Sequence, residues 1–69
     1  MLYKLKIADW KWVPGSKTWM MFKDAFTGEW LAGSSYDVII GKAYLVEISG
    51  GLNKDEFRLI TKFIGVVAE

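Results

Sequence analysis

Cysteine and histidine are both missing from this 69-residue chain, and each absence removes a class of chemistry. Without cysteine there is neither a disulfide to staple a small fold nor a thiolate nucleophile. Without histidine the commonest general base and the usual zinc ligand are gone as well. Proline occurs once, at Pro14, so most of the chain is free to enter regular structure. No apolar stretch approaches the roughly 18 residues of a membrane span; the longest comparable run is IGVVA at 64–68. The opening MLYKLKIADW alternates instead of forming the apolar run of a signal peptide. A cysteine-free chain suits a reducing compartment, and a cytoplasmic location is the expectation.

Charge of one sign is also scarce. The net charge is +1, which gives no bulk electrostatic case for a nucleic-acid partner. Its distribution is uneven, however. Residues 1–17 carry Lys4, Lys6, Lys11 and Lys17 against Asp9, and the remainder holds more acids than bases.

What is abundant is apolar and aromatic: 52% of residues are hydrophobic, with four Trp, four Phe and three Tyr. A chain this short buries only about 60% of its unfolded surface, so it needs a rich core or a shared one. One domain, 1–69, is expected. With no disulfide or metal to stabilise it, a homodimer is the remaining common support.

Alternation places a first strand from Met1 to about Ala8, with Tyr3, Leu5 and Ile7 on one face and Lys4 and Lys6 on the other. Residues 9–13 either continue it or bulge. Val13-Pro14-Gly15-Ser16 reads as a turn, with proline presetting φ and glycine taking the positive φ of a type II third position. KTWMMFK, at 17–23, is a second strand with large side chains on both faces. Residues 24–28 form a hairpin loop, opened by Asp24 and closed by a left-handed Gly28. EWLA, at 29–32, returns as a third strand. In 36–49 the β-branched Val38, Ile39 and Ile40 favour strand. Gly41-Lys42 then marks either a tight hairpin or a bulge, and AYLVEI at 43–48 is strand in both cases. Val66–Ala68 reads as a short last strand or a tail.

LNKDEFRLITKFIG, at 52–65, carries helix signals. Asn53 and Glu56 form a capping box, and Leu52 can staple onto Phe57. Phe57, Leu59, Ile60, Phe63 and Ile64 fall in one helical arc, and Gly65 offers a left-handed stop. The expected fold is thus β-rich α+β: a small antiparallel barrel or half-barrel, SH3-like or OB-like, of four to five strands in a meander. One C-terminal helix at about 54–64 would act as its lid.

Catalysis has little to work with. Asp24 and Glu29 could face one another across the hairpin, but turn capping and solvation account for both. Pro14-Gly15-Ser16-Lys17-Thr18 lacks the GxxxxGK[ST] spacing of a phosphate loop. No enzyme activity, cofactor or metal is expected.

The one suggestive constellation is basic and aromatic. In an unbroken first strand Lys4, Lys6, Trp10 and Trp12 share a face, with Lys11 and Lys17 nearby, and Trp19 with Lys23 extends the patch to the next strand. Tryptophans among lysines on a sheet suit single-stranded nucleic acid, where rings stack on bases and ammonium groups follow phosphates. A bulge near Asp9 would instead turn Trp10 and Trp12 toward the core. The alternative is a protein-interaction surface on the hairpin, using Trp19, Met21, Phe26 and Trp30, residue types enriched in interface cores.

Overall fold

The computed structural model describes residues 1–52 and 58–67, and these form five strands. They are β1 (Leu2–Trp12), β2 (Trp19–Asp24), β3 (Trp30–Ser34), β4 (Ala43–Leu52) and β5 (Arg58–Val67). They close into a barrel in the order β1-β2-β3-β5-β4. Every pairing is antiparallel except β3 with β5, which is parallel. A small barrel was expected, and its parallel seam gives it the OB-like arrangement. The chain is not a meander. After β3 the connection 35–42 crosses the barrel mouth, so that β4 pairs with β1, and β5 fills the gap that remains.

Closure buries one side of each strand. Leu5, Ile7, Phe22, Leu31 and Val46 are fully inaccessible, with Met20, Tyr44, Ile48 and Ile60 packed among them. The Phe22 ring meets Phe63 edge-to-face at 5.2 Å, a favoured quadrupole geometry.

The expected helix is absent from the residues that can be described. Its stretch 54–57 lies outside them, and 58–64 belongs to β5. The barrel explains why. Ile48, Val46 and Tyr44 on β4 lie opposite Ile60, Phe63 and Val66 on β5. Register shifts leave Thr61 and Ile64 as extra residues on β5, so its inward positions recur every third residue, a spacing that imitates a helical face. The Thr61 hydroxyl donates to the Glu47 carbonyl (3.0 Å), restoring a bond where the ladder is interrupted. A helix here would have left the facing edges of β3 and β4 unpaired.

Other local expectations divide. Ser16 N–H donates to the Val13 carbonyl (2.9 Å) and Gly15 has φ +79°, as the Pro-Gly turn requires. Residues 38–40 are not strand. Lys42 N–H donates to the Ile39 carbonyl (3.1 Å), making a turn whose third residue, Gly41, has φ +94°. Neither the Gly41-Lys42 hairpin nor the single long strand forms. The turn is anchored when Gly41 N–H donates to the Ile7 carbonyl and Ile7 N–H to the Lys42 carbonyl.

The barrel end that carries the β2–β3 turn is held by polar contacts. Asp24, 1% exposed, accepts from the Tyr3 hydroxyl and from Phe26 N–H. Glu29 is not simply solvated: its carboxylate lies 3.2 Å from Arg58 Nε. Burial, then the bond and charge of Asp24, push the Tyr3 phenol up to about 12.

Candidate functional site

The register of β1 decides where the basic and aromatic residues go. Ile7 pairs with Asp24 and Asp9 with Lys23, so Ala8 is the extra residue of a bulge. Before it, odd-numbered residues face the core and Lys4 and Lys6 point outward, across from Leu45 and Ala43 on β4. After it, the parity reverses. Trp10 and Trp12 stand opposite Phe22 and Met20, on the interior side. The shared face expected for Lys4, Lys6, Trp10 and Trp12 therefore does not exist. Nor do the two tryptophans enter the packed core: they lie at its mouth, 37% and 45% exposed.

Two separate surfaces result. The first is the outer wall of β1, β2 and β3. Asp9, Lys23 and Trp30 lie in one cross-strand row, Lys11, Met21 and Ala32 in the next, and Trp19 with Ser34 beyond. Lys11 Nζ sits 4.6 Å from the Trp30 ring centroid, within cation–π range. Trp19 is 48% exposed, whereas Met21, at 8%, offers little surface. The Ser16 hydroxyl accepts from Thr18 N–H and Trp19 N–H, which orders the 13–18 loop beside Trp19 and the exposed Lys17. Lys23 stands across from Asp9, whose carboxylate accepts from Trp10 N–H. Residues first assigned to two competing patches thus interleave on one wall: Lys11 and Lys17 from one, Trp19, Met21 and Trp30 from the other.

Phe26 stands apart, exposed on the β2–β3 turn at the polar end, with Lys6 Nζ 5.9 Å from its ring.

The second surface is a cleft of about 740 Å³ at the mouth, where Trp10 and Trp12 meet Tyr36, Asp37, Tyr44 and Val66. Tyr36 stacks flat on Phe63, at 4.2 Å with 5° between planes, and this clamps the 35–42 connection over the barrel. Tyr44 is buried and its hydroxyl accepts from Ile39 N–H. The sequence reading missed this cleft. In 36–49 the local pattern speaks only for the β-branched residues 38–40, and nothing in it pairs residue 36 with residue 63.

Among the described residues no group of three or more acids comes together to hold a metal ion, and no helix is long and apolar enough to cross a membrane. No family model, curated protein or solved structure matches this chain.

Proposed function

We propose that this barrel is a non-enzymatic binding module that takes single-stranded nucleic acid on the outer wall of β1, β2 and β3. The supporting observation is the juxtaposition of Lys11 over the Trp30 ring with Lys23 directly across from Trp30 on β2. Trp30 and Trp19 supply stacking faces about 13 Å apart along the sheet, from four residue steps on β2. Lys11, Lys17 and Lys23 supply the cations that follow a phosphate chain. OB-like barrels use the face of strands 2 and 3 for such ligands, and that is where these residues stand. Lys4 and Lys6, on a different wall, become peripheral. A cytoplasmic setting suits a ligand of this kind and a chain without disulfides.

The test is tryptophan quenching by oligothymidylate at several salt concentrations. Three phosphate contacts give a log–log slope of about −2, since single strands release about 0.7 counterion per contact. Trp19→Ala should cost about 1–3 kcal/mol of binding, the worth of one stacked base. Absence of salt-sensitive quenching at micromolar protein ends this reading.

A second reading, docking of a protein or a second copy of the chain, is favoured by Phe26, 64% exposed on its turn. Phe26→Asp should then abolish assembly in sedimentation while the fold persists. Unchanged assembly would remove the turn as an interface.

A further inference from the structure

The mouth cleft differs in character from the wall, and the difference points to another ligand. Four aromatic rings line it beside Met20, Val38, Ile39 and Val66, and they fall in two perpendicular pairs: Trp10 meets Trp12 at 6.2 Å and 89°, and Tyr36 meets Tyr44 at 6.2 Å and 82°. Among the described residues neither lysine nor arginine lines it, and Asp37 is the one charged residue that does. Asp37 has no ion-pair partner among the described residues. A nucleic-acid strand would bring phosphates toward that carboxylate. A stacked base would use parallel ring faces, whereas one face of Tyr36 is already taken by Phe63.

We propose that this cleft binds a quaternary ammonium group. Aromatic rings present negative faces to a cation, and rings set at right angles enclose a spherical cation better than a flat one. A methylated ammonium has a diffuse, weakly hydrated charge, so it gives up less water on entering an aromatic cage than a bare ammonium does. Asp37, exposed at the rim, supplies the opposite charge. The cleft volume of about 740 Å³ lies within the range of small-ligand sites. The cation has two chemical sources, a free choline-like molecule or a trimethylated lysine side chain, and both present the same trimethylammonium head. This inference does not depend on what the outer wall binds.

The experiment titrates the whole chain with choline and with the neutral tert-butyl analogue of choline, following the indole N–H signals of Trp10 and Trp12. Choline should bind at least about tenfold more tightly than its uncharged counterpart, a factor expected when cation–π and carboxylate attraction are added to equal shape. Asp37→Asn, on an exposed connection, should weaken choline several-fold and leave the neutral analogue unchanged. That result stands whether or not the companion variant Trp12→Ala folds. A parallel titration with acetyl-trimethyllysine amide separates the sources. Tighter binding than choline indicates a modified protein tail, and weaker binding a small molecule; either order supports the cage. Equal affinity for choline and its neutral analogue, indifference to Asp37→Asn, or no shift at millimolar ligand would each overturn the proposal.

Discussion

On the outer wall Trp19 and Trp30 stand among lysines, whereas at the mouth Trp10 and Trp12 share a cleft with a carboxylate. The mouth pair comes from β1 and the wall pair from β2 and β3, yet the wall's Lys11 lies between the two mouth tryptophans in the chain. What divides the regions is the extra residue Ala8, which reverses the side-chain parity of β1 halfway along. Composition alone would merge all four tryptophans into one aromatic patch. The fold instead puts Trp19 and Trp30 beside lysines on one surface and Trp10 and Trp12 beside Asp37 on another.

The change that should erase this contrast most completely is Phe22→Ala. Phe22 lies on β2 behind the wall and touches Phe63, whose ring carries Tyr36 of the mouth. A loss of about 3–5 kcal/mol is expected, measured by urea unfolding, and in a domain this small both surfaces should go with it. Gly33→Ala comes next. A Cβ there would sit 3.0 Å from Ile60 Cβ across the parallel β3–β5 seam, so a cost of about 1–3 kcal/mol is expected from overpacking. If Gly33→Ala is neutral, the seam is looser than the register implies.

Smaller changes should sharpen the contrast without touching stability. Lys11→Ala should alter unfolding by no more than about 0.5 kcal/mol. It should nevertheless lower the magnitude of the salt slope for oligothymidylate by about 0.7. An unchanged slope would take Lys11 off the phosphate path. The polar end provides a control for both surfaces, because a change there acts on stability and on neither ligand. Tyr3 has its ionisation raised from 10.0 to about 12 in the fold, so it favours folding below pH 10. That contribution fades as pH rises through about 12. Tyr3→Phe should therefore differ most from the parent below pH 10, and the gap should narrow from there upward. A constant gap would mean that Tyr3 is not titrating against Asp24.

Much of this architecture is legible in the residues, and the exceptions share a cause. β1 to about Ala8, β2, β3 and the core of β4 follow period-two patterns or punctuated apolar runs, and the Pro14-Gly15 turn and the Asp24–Gly28 loop carry their own chemistry. β5 imitates a helix because Asn53 and Glu56 form a capping signature and Leu59, Ile60, Phe63 and Ile64 share a helical arc, whereas in the barrel Thr61 and Ile64 are the extra residues of bulges. Bulges are set by pairing partners far away in the chain, so a single strand does not disclose them. The same holds at Ala8, where the possibility of a bulge was apparent but its occurrence depended on β2. The β-branching of Val38, Ile39 and Ile40 points to strand, yet the barrel uses 35–42 to cross its mouth, where Val38 packs on the core. As for the site, the residue types were visible and the grouping was not. Lys11 and Trp30 are far apart in sequence and meet only through β2.

The most direct test of the two-surface account is a single titration of nitrogen-labelled protein with oligothymidylate, following the indole N–H signals of all four tryptophans. The account predicts that Trp19 and Trp30 shift in a salt-dependent way while Trp10 and Trp12 hold still. Shifts concentrated at Trp10 and Trp12, with Trp19 and Trp30 unmoved, would contradict it.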